Sequence, residues 1–191
     1  MRKQINLPVK KMKNNLVSDL VQSLIQKNIT IATAESCTGG LVAKYITDQS
    51  GASQVFECGI ISYSGRIKNQ MLGVSNETLK LYGEVSEQTA MEMASGVRAV
   101  AQSDIGIGIT GIAGPTGGSK EKPVGLVYFA VDFFGECQGY RLELFDAGSR
   151  NEVRERTTQT VFECIYDKIK NSTVLPVVLN GVNGAVCNRK A

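Results

Sequence analysis

The chain has 191 residues, 42% of them hydrophobic and 20% charged, with no histidine, no tryptophan and a formal net charge of +3. That length suits one well-buried domain, and no apolar run reaches the roughly 18–20 residues that span a bilayer. The charge is concentrated at the ends: residues 1–13 hold Arg2, Lys3, Lys10, Lys11 and Lys13, and the last 21 residues hold Arg189 and Lys190, neither stretch containing an acid. Removing those seven leaves 14 basic against 18 acidic residues, so the body is net acidic, the reverse of a nucleic-acid-binding surface. Neither nucleic acid nor membrane is an expected partner, and the head reads as a solvated basic arm.

The first predicted element is a helix from Asn14 to Lys27, with Leu16, Leu20, Val21, Leu24 and Ile25 on one face. "TIATAE" (30–35) reads as a short β-branched strand entering a Gly-Gly turn, and residues 38–49 return to a helical pattern. "VFECGIISYS" (55–64) is crowded with apolar positions and is expected to be a buried strand, Gly59 marking a close backbone approach. Short helices are expected over Ile67–Leu72 and Glu77–Tyr82. Ser86 is a good N-cap for a helix from Glu87 to Gln102.

"DIGIGIT" (104–110) is a strand running into the irregular loop "GIAGPTGG". Two further strands flank Gly135-Glu136, a hairpin signal. Ser149-x-x-Glu152 is a capping box opening a last helix with Val153, Val161, Cys164, Ile165 and Ile169 as its seam. Strands alternating with helices, with one late hairpin, imply an α/β fold: a three-layer α/β/α sandwich with a mixed, mostly parallel sheet. The domain is expected over residues 14–170, with an irregular tail over 171–191.

Five scattered cysteines form no C-x-x-C pair, so no metal site is expected, and reduced, mostly buried thiols suit a cytoplasmic location. Chemistry is expected where Gly-rich turns follow strands, because main-chain N–H groups face outward there. "ESCTGG" and "TGIAGPTGG" are those turns. The G-x-G-x-x-G over 106–111 lies within a strand instead of opening a helix, which argues against a dinucleotide fingerprint.

"AESCTGG" sets Ser36 beside Cys37 in a chain without histidine, so a nucleophile needs another base. A desolvated lysine can serve serine in this way. "SYSGRIK" (62–68) offers Tyr63 and Lys68, with Arg66 placed to keep a nearby lysine neutral. On the residues alone, the commoner roles are a surface helix lysine for Lys68 and a half-buried packing residue for Tyr63. Arg150 and Arg154 share a face at the start of the last helix, where cations oppose the helix dipole and hint at a bound anion.

"AESCTGG", "SYSxxxK…LGV", "VSE", "TGIAGPTGG", "EKPVGLVY" and "GSRNEVR" stand in the order seen in the CinA C-terminal domain family. The chain resembles its stand-alone, PncC-type members, the nicotinamide-nucleotide amidases, over about residues 14–170. The resemblance implies hydrolysis of nicotinamide mononucleotide to nicotinate mononucleotide and ammonia, without metal or cofactor, by a cytoplasmic homo-oligomer expected to be a dimer. It places the nucleophile on Ser36, the assisting tyrosine and lysine on Tyr63 and Lys68, and substrate contacts on Thr110, Gly111 and Arg150. In many members Asn-Glu-Ala stands where this chain has Gly65-Arg66-Ile67, and Asp or Asn where it has Ser149.

An amide is a poor electrophile, so main-chain N–H groups around Thr38, Gly39 and Gly40 are the expected oxyanion cradle. Two other readings stay open at this level: Cys37 as nucleophile with Glu35 or Lys68 as partner, and a nucleotide-binding module that has lost the chemistry. Sequence also leaves open whether Lys68 or Tyr63 is the immediate base.

Overall fold

Alternation in "IGIGI" decides how the layers stack. A computed structural model of the chain describes residues 15–171. The expectations for the basic arm and for the tail beyond Asn171 lie outside the described residues. The elements in order are α1 (Leu16–Lys27), β1 (Ile31–Glu35), α2 (Leu41–Thr47), β2 (Phe56–Ile61), α3 (Gly65–Leu72) and α4 (Asn76–Leu81). Then follow α5 (Glu87–Ala101), β3 (Ile105–Gly111), β4 (Leu126–Phe133), β5 (Glu136–Glu143) and α6 (Arg150–Asn171).

The strands form one sheet in the order β2-β1-β3-β4-β5. β1 pairs in parallel with β2 and β3, while β4 is antiparallel to both β3 and β5. Four of the five strands therefore point the same way, and helices cover both faces, as expected.

On one face Ile31, Ile105, Ile107 and Ile109 pack against Leu20 and Leu24 of α1, Val42 and Ile46 of α2, and Val161, Phe162 and Ile165 of α6. Full burial of each such side chain contributes roughly 1.5–3 kcal/mol, so packing holds these helices more than propensity does. The opposite face is lined by Ala32, Ala34 and Ala130 under Ala90, Met93, Ala94 and Val97 of α5. Gly106 and Gly108 lie under α5 too, and a Cβ there would collide with the carbonyl oxygens of Ala94 and Ala90. The glycines of β3 thus serve a close helix–sheet approach, which accounts for the G-x-G pattern without any nucleotide.

The caps follow the sequence closely. Ser86 Oγ accepts from the Thr89 N–H at 3.2 Å, and Ser149 Oγ from the Glu152 N–H at 3.2 Å. Glu152 returns its carboxylate to the Gly148 N–H, one residue earlier than a standard capping box. The hairpin turns at Phe134 and Gly135, both at positive φ (54° and 94°), which suits a two-residue turn between twisted strands.

The expectation of a buried strand over residues 55–64 fails. β2 is not buried but alternates between half-buried and exposed positions, because it is the sheet's edge and pairs with β1 alone. The thiols also differ from expectation: Cys37 is buried, whereas Cys58, Cys137 and Cys164 are half-buried. Among the described residues no helix is long and apolar enough to cross a membrane.

Candidate active site

β1 and β3 end side by side, and Ser36 sits one residue past β1. Its N–H still donates to Ile109 O at 3.0 Å, so the sheet itself holds the residue. The chain then turns through Gly39 and Gly40, at φ 60° and 89°, conformations that a side chain would strain. Glu35, 1% exposed, accepts from the N–H groups of Gly40 (3.0 Å), Val42 (3.2 Å) and Ala43 (2.9 Å). It caps α2 in place of Gly40, which has no side chain to offer.

Lys68 comes from the other direction. Ser62 follows β2 and is tied by its N–H to Glu35 O, and Ser64 N-caps α3. Lys68 lies on the inner side of that helix, 1% exposed, with Nζ 3.0 Å from Ser62 O and 3.3 Å from Ser36 Oγ. Burial pushes its pKa below the usual lysine value, and the Glu84 carboxylate, 3.5 Å away, opposes that shift. Lys68 is therefore no surface lysine. Arg66 takes no part, since it points outward to Gln70.

Tyr63 is 62% exposed and stands at the rim instead of packing inside. Its hydroxyl accepts from Arg150 Nη2 at 2.9 Å, and Arg150 Nη1 donates to Gly114 O at 2.8 Å. Tyr63 forms no hydrogen bond with Ser36 or Lys68 in this state. Arg154 grips Thr38 O with Nε and Nη2 at 3.2 and 2.8 Å, binding α6 to the turn that carries Ser36. Neither Arg150 nor Arg154 meets a carboxylate among the described residues, so two cations stand uncompensated at the N-terminus of a 22-residue helix.

Of the expected cradle, the Gly39 N–H is engaged by Ser36 O and the Gly40 N–H by Glu35, which leaves the Thr38 N–H. Thr110 is buried, and its hydroxyl donates to Glu84 O at 2.7 Å, so it steadies the segment that brings Glu84 to Lys68. Gly111 ends β3 opposite Val127, where a Cβ would fall 2.8 Å from that side chain.

Cys37 is buried, and loss of solvent pushes its thiol up to about 12, far from thiolate at neutral pH. Of the two partners considered for Cys37, Glu35 is committed to three N–H groups, and Lys68 directs its amine to Ser36 Oγ and Ser62 O. Cys37→Ala is expected to keep at least about a tenth of any turnover, as suits a neutral packing group; near-total loss in a folded variant would move the nucleophile to sulfur. Glu84 was not readable as a site residue, because a lone glutamate before a helix cap carries no pattern.

The fold and site define a histidine-free α/β/α domain with a buried serine–lysine pair at the ends of parallel strands. The chain belongs to the CinA C-terminal domain family, matched over residues 13–169. A relative from Acetivibrio thermocellus is 54% identical over 142 residues, which is 74% of this chain and 34% of that protein. The CinA-like protein of Kosmotoga olearia is 49% identical over 150 residues, 78% of this chain and 36% of its own. The chain thus spans about a third of those relatives' length.

Solved structures match along nearly their whole length. The competence/damage inducible protein CihA of Agrobacterium tumefaciens is similar with a TM-score of 0.75 and 36% identity, covering 83% of this chain and 98% of that one. A CinA superfamily protein from Enterobacter cloacae has a TM-score of 0.79 and 31% identity, covering 88% and 99%.

Proposed function

We propose that the domain is an amidohydrolase that converts nicotinamide mononucleotide to nicotinate mononucleotide and ammonia. The observation that carries this reading is the buried Lys68 Nζ, 3.3 Å from Ser36 Oγ, in a chain with no histidine. A desolvated lysine loses its proton more readily than an exposed one and so is better suited to act as a base.

In the proposed reaction Ser36 Oγ attacks the carboxamide carbon and its proton passes to neutral Lys68. The oxyanion is met by the Thr38 N–H, a donor of a kind worth roughly 3–4 kcal/mol in the transition state. Collapse breaks the C–N bond, and the nitrogen leaves as ammonia with the proton that Lys68 returns. Tyr63 assists at this step: its oxygen already accepts from Arg150, and its own proton is free to face the leaving group. Water then attacks the acyl-serine while Lys68 takes a proton from it, releasing the carboxylate and restoring Ser36.

Arg150, Arg154 and the loop after β3 suit the anionic end of a nucleotide, because their charge is uncompensated and sits at a helix N-terminus. Binding there would orient the ring over Ser36. The test is ammonia release from nicotinamide mononucleotide by the purified protein, with Lys68→Ala as control. Stoichiometric nicotinate nucleotide is the expected product. Calorimetric binding without any product would instead favour a nucleotide-binding module.

A further inference from the structure

Gly65 and Glu84 occupy each other's space. A Cβ on Gly65 would fall 2.9 Å from Glu84 Oε1 and 3.1 Å from its Cδ. Gly65 has ordinary helical geometry at the first position of α3, so its bareness is not a backbone requirement. The main chain at and around Glu84 is fixed as well. Thr110 Oγ1 donates to its carbonyl at 2.7 Å, and Lys122 Nζ donates to Tyr82 O at 2.6 Å and Val85 O at 2.7 Å. Two residues on, Ser86 caps α5.

We propose that Glu84, seated against the bare Gly65, is a positioning residue that favours the ammonium form of Lys68 and so sets the fraction of the amine that is free to act as a base. It deepens the reading of Lys68 as the base for Ser36 and rests on that reading only for its kinetic consequence. The ion pair itself is 3.5 Å, with Glu84 51% exposed, a geometry that adds little to stability. Its effect on the buried partner is larger, because Lys68 has almost no water to stabilise its charge.

No other carboxylate is within ion-pair distance of Lys68 among the described residues. In the turn after β1, Glu35 is engaged by three N–H groups and Cys37 is a neutral thiol. At the end of β2, Tyr63 is bound by Arg150. On α3 itself Arg66 faces Gln70, and on α5 Glu92 accepts from the Ser75 N–H and Thr78 Oγ1. Lys122, the nearby cation, is turned to the carbonyls of Tyr82 and Val85.

The test follows Lys68 directly. In protein carrying 13C-labelled lysine, the Lys68 Cε resonance, identified by its absence in Lys68→Met, is titrated in the wild type, Glu84→Gln and Gly65→Ala. In Glu84→Gln its midpoint is expected to fall by about one pH unit, the low end for loss of an adjacent opposite charge. Gly65→Ala keeps the carboxylate but crowds it towards its solvent side, and is expected to shift the midpoint the same way. A wild-type midpoint in Glu84→Gln overturns the proposal; if that variant fails to fold, a wild-type midpoint in Gly65→Ala does so.

The amidase readout separates the two readings. The acid limb of kcat/KM should move down with the Lys68 midpoint. If the midpoint moves while the limb stays, or no turnover exists, Lys68 is not the base but Glu84 still sets its charge.

Discussion

Ser36→Ala is expected to lower amide hydrolysis by about ten-thousandfold while leaving the fold intact. Loss of a nucleophile that works as a unit with its base removes nearly all covalent catalysis, and only binding and oxyanion stabilisation remain. The structural cost is small. Ser36 Oγ accepts one hydrogen bond, from Lys68, which keeps Ser62 O and Glu84 as partners. One such bond is worth about 1 kcal/mol, and the main-chain tie from Ser36 to Ile109 is untouched. Kinetics and a thermal melt on the same preparation give the check: wild-type-like turnover by a folded Ser36→Ala removes the serine assignment.

Lys68→Met is expected to cut turnover by about a thousandfold, the range of a general base, with a melting temperature equal to or above that of the wild type. Methionine fills a similar volume without a charge, whereas Lys68 carries its amine to a position 1% exposed. Replacing a buried ion-pair member by an apolar group of like size is often neutral or stabilising. The sign with pH follows from linkage. Burial lowers the folded-state pKa of Lys68 below its ordinary value, so between the two the unfolded chain binds more protons and wild-type stability rises with pH. The advantage of Lys68→Met should thus be greatest below the folded-state pKa and shrink as pH rises towards the ordinary lysine range. A variant that melts far below the wild type at every pH would show that Lys68 is a structural residue instead.

Much of this was legible beforehand because the local signals are strong. Ser86 and Ser149 announce helix starts through their own hydroxyls, and the α1 and α6 seams repeat at helical spacing. The late hairpin shows itself in Gly135. β2 misled because its composition suits a central strand; edge or centre is decided by pairing order, which local pattern does not encode. The absence of histidine raises a serine–lysine pair, but only the resemblance favours it, since in isolation Lys68 looks like any helix lysine. Glu84 was invisible: its role depends on a glycine 19 residues earlier and a threonine 26 residues later, brought together only by the crossing of α3, α5 and β3.

Glu35 has a consequence for reading relatives of this chain. It shares its turn with the proposed nucleophile but makes no move in the proposed chemistry; it is the pivot on which that turn hangs. The usual capping position is a bare glycine, so Ser36, Cys37 and Thr38 are all excused from terminating α2. A homologue could retain serine, tyrosine and lysine and still be inert if the residue before its serine cannot reach those three amides. Position 35 is therefore a marker of competence for this architecture: motif searches that score only the reacting side chains would pass sequences whose nucleophile has lost its mooring.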